Sequence, residues 1–241
     1  MRGTETYPGN ELELFAGARH WKGYLAALLR AHLGGTVLEV GAGLGATTAA
    51  LCDGSQREWV CLEPDPAMAR TLTDAVAAGR LPACCRVVRG TVADLAPEAV
   101  FDAIAYIDVV EHIAADADEL DRAARRLAPG GRLIVVAPAH RWLYSAFDAA
   151  IGHHRRYTRH SLARVVPPQL ERVTLRYLDS VGLLASAANR LLLRRSLPTQ
   201  AQIAVWDRVM VPLSRRLDPL IAFAAGKSVL GIWSAGPRRA G

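Results

Sequence analysis

The stretch VLEVGAGLGATTAAL, Val37 to Leu51, constrains the fold of this chain more than any other. Its first four residues are strand formers apart from Glu39, three glycines stand at alternate positions (Gly41, Gly43, Gly45), and the tail is small and helix-compatible. That pattern predicts a strand, a tight turn and a helix start. Glycines turn the backbone sharply and let a ligand lie against the main chain, and the N–H groups of the new helix are expected to point, unpaired, into the same space. A flat, polar cofactor suits such a berth. A dinucleotide site ordinarily has an apolar residue two positions before the first glycine, because the pyrophosphate seeks only N–H groups. Glu39 occupies that place here, which favours a ligand bearing an ammonium or sulfonium group.

With 241 residues, 51% hydrophobic and 22% charged, the chain can bury one full core, as a single α/β domain or a domain with a cap. The net charge of +6 raises nucleic acid as a partner. Against it, arginines are scattered, the only lysines are Lys22 and Lys227, and no basic run is interleaved with aromatics, so a solvated surface is expected. Cys52, Cys61, Cys84 and Cys85 form no C-x-x-C pair and no ligand spacing with histidines, so the expectation is no metal and free thiols in a reducing cytoplasm. MRGTETYPGNELE has no apolar core or cleavage site, which argues against a signal peptide. The longest apolar stretch, Val181 to Leu193, is broken by Asn189 and Arg190 and falls short of the roughly 20 residues of a membrane span. A soluble cytoplasmic protein without stable membrane insertion is expected.

Residues 11 to 33 read as an amphipathic helix through Leu12, Phe15, Trp21, Tyr24, Leu25, Leu28 and Leu29, closed by Gly34 and Gly35. After the strand that opens at Val37, further strands are expected at Trp59 to Glu63, Arg86 to Gly90, Phe101 to Asp108, Arg132 to Pro138, Arg172 to Leu178 and Lys227 to Ser234. Helices are expected at 47–52, 66–78, 114–127 and 158–166. Their alternation gives an α/β, doubly wound, mostly parallel seven-stranded sheet with right-handed crossovers. The helical stretch from Ser180 to Ala225 interrupts what would be a hairpin between the last two strands, and reads as an insertion capping the carboxyl edge. The division is an N-terminal helical segment (1–36), a core (37–178 with 227–241) and a helical cap (179–226).

In open parallel sheets ligands bind beyond the carboxyl ends of the strands. Glu39 and the glycine turn end the first strand, and Glu63 ends the second at the spacing from Gly41 where an acid accepts from both ribose hydroxyls. Thr91 to Asp94 follow the third, where Asp94 or the backbone near Val92 would meet an adenine amine. Asp108 ends the fourth strand, lining the cleft or capping the next helix, and His112 follows one turn later, facing substrate or half-buried. In the loop after the fifth strand, His153 and Tyr157 are a candidate proton-handling pair. The competing reading makes His154, Arg155 and Arg156 a structural knot, pairing with Asp148 or with helix carboxyl ends. Arg190, Arg194 and Arg195 read as a solvated face before they read as a clamp for an acidic substrate.

At VLEVGAGLG (37–45), LEPD (62–65), GTVADL (90–95), DVVEHI (108–113) and LAPGGRLIVVAPA (127–139) the chain resembles the class I S-adenosylmethionine-dependent methyltransferases. Within them PAHRWLY, Asp148 and GHHRRYT (152–158) look like a bacterial branch that carries GHYRRYT after the fifth strand and A-R-N-Y in its first helix, where this chain has Ala18, Arg19, His20 and Trp21. It departs at Thr91, where relatives often carry Asp. The resemblance implies a Rossmann-like methyltransferase fold with S-adenosyl-L-methionine held by Trp21, Glu39, Gly41, Ala42, Gly43, Glu63, Pro64, Thr91, Val92, Asp94 and Asp108. The position of the loop makes His153, His112 and Tyr157 the candidate catalytic residues, and no metal is expected. Gly41 to Gly43 would pass under the methionyl part, Glu63 would hold the ribose, and Trp21 would lie over the sulfonium. The expected reaction is methyl transfer to an oxygen or nitrogen of a small metabolite, by a protein for which a homodimer is open. The rivals are attack at another carbon of the sulfonium, an NAD-dependent oxidoreductase, and a partner whose segment 180–225 lies on anionic lipid.

Overall fold

The computed structural model describes residues 15–188 and 199–236. Leu12 and the arginines at 190, 194 and 195 lie outside them. Strands and helices alternate from α1 (Arg19–Leu29) through β1 (Thr36–Val40), α2 (Thr48–Leu51), β2 (Glu58–Glu63), α3 (Pro66–Ala77), β3 (Cys85–Arg89), β4 (Phe101–Ile107), α4 (Asp116–Ala124) and β5 (Leu127–Pro138). Two short helices, α5 (Ala146–Ala150) and α6 (Arg159–Val165), lead to β6 (Leu170–Leu178). Helix α7 (Ser180–Ala188), α8 (Gln200–Val205), a π turn (Trp206–Met210) and α9 (Val211–Leu220) then precede β7 (Ser228–Ala235). The sheet order is β3-β2-β1-β4-β5-β7-β6, with β7 antiparallel to both neighbours and the other pairs parallel. Chain order reverses between β1 and β4, so the crevice of a doubly wound sheet opens above those two strands.

Period-two alternation assigns the core. Val37, Cys61, Ala103, Ala105, Ile134, Val136, Leu230 and Ile232 face one side with Trp21, Leu25 and Leu29 of α1. Leu38, Val60, Ile104, Tyr106, Leu133, Val135 and Val229 face the other, under Leu120 and Ala123 of α4 and Leu162 of α6. Each fully buried leucine contributes about 1.5–3 kcal/mol, so both helical layers are held mainly by this burial.

Helix starts follow local chemistry where the sequence supplies it. Asp65 accepts from the amides of Ala67 and Met68 to cap α3, with Pro66 at its first position. At α6, Thr158 and Ser161 form a reciprocal cap. Helix α1 has no side-chain cap of its own; the amides of His20 and Trp21 donate to Asp207 in the π turn, at 3.2 and 2.9 Å. Asp218 of α9 accepts from the Tyr24 hydroxyl and from the amides of Asp179 and Ser180. The helices between β6 and β7 are therefore built onto α1 and one face of the sheet, and touch its carboxyl edge through Asp179 and Trp206.

One boundary moves. The expected helix over 114–127 stops at Ala124, and the strand expected from Arg132 starts at Leu127. The register breaks between Phe101 and Ala103, and Gly130 has φ +76°. A Cβ on Gly131 would lie 2.8 Å from the Ala128 carbonyl. The glycine pair makes an irregular strand start out of what reads as a helix stop.

Candidate functional site

The loops after β1 and β4 meet at the switch point. Gly41 (φ +68°) lies against Val109, so closely that a Cβ there would fall 2.8 Å from a valine methyl. The turn amides are not bare, which corrects the expectation of free N–H groups. Gly41 and Ala42 both donate to the Leu62 carbonyl (2.8 and 3.2 Å), Gly43 donates to Glu63 Oε2 (2.8 Å), and Gly45 donates to Ala42. The end of β2 runs close enough to take the donors a ligand would otherwise meet. Glu63 is buried; its other oxygen accepts from the Asp65 amide at 2.9 Å, and each oxygen keeps lone-pair capacity for one more donor. Burial raises its pKa against these bonds. Pro64 separates Glu63 from the capping Asp65.

Glu39 is buried, and its Oε2 accepts from Thr48 Oγ1 (2.7 Å) and Trp59 Nε1 (2.8 Å). Burial outweighs those bonds and pushes the carboxyl up to about 7. After β3, Val92 is buried, and Asp94 turns back to accept from both the amide and the hydroxyl of Thr91.

Non-glycine residues in the left-handed region stand just past three parallel strand ends: Asp108 (φ 54°) after β4, His140 (φ 65°) after β5 and Asp179 (φ 66°) after β6. Such backbone is costly and concentrates at functional edges. Asp108 keeps an exposed surface, although protein atoms crowd around its carboxyl. Burial raises it to about 6 against the pull of His153, Lys227, Lys22 and Arg156. Asp179 is buried, bonded to Trp206 Nε1 (2.7 Å), Ser214 Oγ (2.7 Å) and the Gly182 amide (3.0 Å), and its Oδ2 lies 3.6 Å from Lys227 Nζ. Lys227 also lies 3.8 Å over the Trp206 ring. Trp21 is a buried ring packed on Tyr24 and on Trp206, the ring that Lys227 covers.

GHHRRYT stitches the β5 loop to DVVEHI. His153 Nδ1 lies 3.0 Å from Asp148 Oδ1, and Arg156 grips both oxygens of the same buried aspartate. Burial alone would raise Asp148; hydrogen bonds from His153, Arg156 and Ser145 overcome it and hold the carboxyl well below the usual range. An ionised Asp148 fixes the proton of a neutral His153 on Nδ1 and leaves Nε2 bare. That nitrogen stands 3.8 Å from Glu111 Oε1. The His112 ring meets the His153 ring edge-on at 4.5 Å, and burial depresses His112 to about 4, so it is neutral near pH 7. Tyr157 is not brought into this group: its buried hydroxyl donates to Asp116 at 2.7 Å, which corrects its expected place in the proton-handling pair. Of the three residues of the knot reading only Arg156 reaches Asp148; Arg155 pairs with Asp116 instead, and the His154 amide donates to the Glu111 carbonyl.

Glu111 is the residue that sequence reasoning passed over. It is wholly buried, neither oxygen has a hydrogen-bond partner, and burial raises its pKa well above the ordinary value. A glutamate beside a histidine in an otherwise apolar run was the available signal.

Residues 38–133 match the methyltransferase domain family. No curated protein sequence matches the chain. Among solved structures, geranyl diphosphate methyltransferase in complex with S-adenosylmethionine superposes with TM-score 0.65 at 16% identity, covering 94% of this chain and 90% of that one. A Haloferax volcanii protein solved as the methyltransferase partner of the Trm112 activator gives 0.63 at 17%, covering 98% and 100%. The cyclase SpnF gives 0.60 at 15%, covering 89% and 82%. The fold is thus the Rossmann-like α/β fold of the class I methyltransferases, and residues 38–133 are similar to a methyltransferase domain. No helix among the described residues is long and apolar enough to cross a membrane.

Proposed function

We propose that the crevice over β1 and β4 holds S-adenosyl-L-methionine and that the protein methylates an oxygen or nitrogen of a small molecule. The observation that carries this reading is the meeting of the β1 and β4 loops at the switch point, where Gly41 packs on Val109 and brings the glycine turn beside Asp108. The residues present fit the cofactor. The turn takes no Cβ at Gly41, Glu63 has lone pairs for two ribose hydroxyls, and the carboxylates of Glu39 and Asp108 favour a ligand of positive charge. When bound, the cofactor supplies an electrophilic methyl on a sulfonium.

On this reading Gly41, Ala42 and Gly43 pass under the methionyl part, Glu63 and Pro64 border the ribose, and Thr91, Val92 and Asp94 border the base. Trp21 forms a wall behind them. His153 takes the proton of the attacking hydroxyl or amine on Nε2, and Asp148 stabilises the imidazolium through Nδ1. Glu111 and His112 close that pocket against water, and Tyr157 holds the two loops together through Asp116. Segment 1–36 backs the cofactor site, and the insertion 179–226 supplies the substrate pocket on the core of 37–178 and 227–241. Binding of S-adenosylhomocysteine by calorimetry, then a mass gain of one methylene on candidate acceptors, tests it. No heat of binding overturns the cofactor assignment; binding without a methylated product leaves a different reaction on the same cradle. The fold similarity to a cyclase supports keeping that second reading.

A further inference from the structure

All four cysteines of the chain converge on one face of the sheet, although their spacing holds no ligand motif. Cys52 closes α2, the helix that follows the glycine turn, while Cys84 and Cys85 lead into β3. Cys52 Sγ lies 3.4 Å from Cys84 Sγ and 3.7 Å from Cys85 Sγ, and the three sulfurs fall within 4.8 Å of one another. Cys61 adjoins Cys85 from β2. Three sulfurs on a tetrahedral ion, with metal–sulfur bonds of about 2.3 Å, stand about 3.8 Å apart. Two of the three sulfur pairs are already near that spacing, and a disulfide would need them at about 2.05 Å.

We propose that Cys52, Cys84 and Cys85 form a binding site for one thiophilic divalent cation, zinc or its analogue cadmium, at the amino end of β3. The ligand set selects for softness, since it offers three sulfurs and no carboxylate. A fourth position faces Gln56, whose Oε1 is 3.4 Å from Cys52 Sγ and whose amide nitrogen is fixed by the Leu33 carbonyl at 3.0 Å. Cys84 is partly exposed and gives the ion a way in. Binding replaces up to three S–H bonds by sulfur–metal bonds and so releases up to three protons. The ion would pin the far end of the glycine-turn helix to β3. This edge lies opposite the one carrying Glu63 and Asp108, so the site stands whether or not the protein transfers methyl groups.

The test is a titration of the reduced full-length chain with cadmium, in a non-thiol reductant. A thiolate-to-cadmium absorption band that saturates at one equivalent, is displaced by zinc and releases protons is expected. Cys84→Ser, at the partly exposed position, should weaken binding at least about tenfold. In the wild-type chain alone, zinc should slow alkylation of Cys84 by iodoacetamide, a readout that needs no variant. Absence of the band, a band that Cys84→Ser leaves at full affinity, or alkylation indifferent to zinc each overturns the site.

Discussion

The Gly43 amide donates to Glu63 Oε2 at 2.8 Å, so the carboxylate proposed to hold a ribose also braces the turn that it faces. Its second oxygen is tied to the Asp65 amide, which fixes the orientation of the whole group before any ligand arrives. Glu63→Ala should weaken S-adenosylhomocysteine binding by about 1–3 kcal/mol and also lower stability, because two buried amides lose their acceptor. Glu63→Gln keeps one acceptor oxygen and should recover most of the stability while binding stays weak. Calorimetry and thermal unfolding of both variants separate the two roles; full affinity in Glu63→Gln would remove the ribose assignment.

Asp148 and His153 divide anchoring from proton transfer. His153→Ala should leave cofactor affinity in place and slow turnover by roughly 10²-fold or more. Asp148→Asn should slow turnover as well by loosening the Nδ1 tautomer, and should cost stability through Arg156. Because Asp148 is held below its ordinary pKa, its stabilisation is present at neutral pH and lost as pH falls through the acid range. Urea unfolding at pH 7 and pH 3.5 should therefore show a wild-type advantage over Asp148→Asn that shrinks on acidification. Unchanged turnover in His153→Ala would return that ring to a structural duty.

Local signals carried the fold. The glycine turn, the period-two strands and the Asp65 and Thr158 caps each lie within a few residues, so their chemistry can be read along the chain. What could not be read depends on distant partners. Asp207 caps α1 across 187 positions, and the Leu62 carbonyl takes two turn amides because β2 happens to end beside the turn. Glu111 was hidden for the same reason. Its neighbours in the chain do not tell that neither oxygen finds a donor. The cysteine cluster, too, exists only once α2 and β3 are packed side by side.

Glu39 should make stability fall as pH rises. Its folded pKa of about 7 lies above the ordinary 4.5, so between those values the folded chain keeps a proton that the unfolded chain has lost. Stabilisation from this group is therefore complete below about 4.5 and gone above about 7, a swing of up to about 3 kcal/mol. Glu111 acts in the same direction and His112, depressed to about 4, in the opposite one below its ordinary 6.5. The difference between wild type and Glu39→Gln isolates Glu39: the variant should gain on wild type between pH 5 and pH 8. A cationic ligand favours the ionised form, so cofactor binding near pH 6.5 should release a proton, visible as a buffer-dependent heat. No buffer dependence would mean that Glu39 does not sense the ligand's charge.

Asp207 couples the insertion to the first helix. Both of its oxygens accept amides at the start of α1, where a carboxylate also meets the positive end of the helix dipole, and its side chain is almost wholly buried. Asp207→Ala removes the only cap that α1 has among the described residues and should destabilise the chain by about 1–2 kcal/mol. Asp207→Asn keeps one acceptor and should cost less. Since α1 carries Trp21 against Trp206, hydrogen exchange should quicken in α1 and in the π turn together, leaving β1 and β4 protected. Exchange that quickens in α1 alone would mean that the insertion folds onto the sheet without that helix.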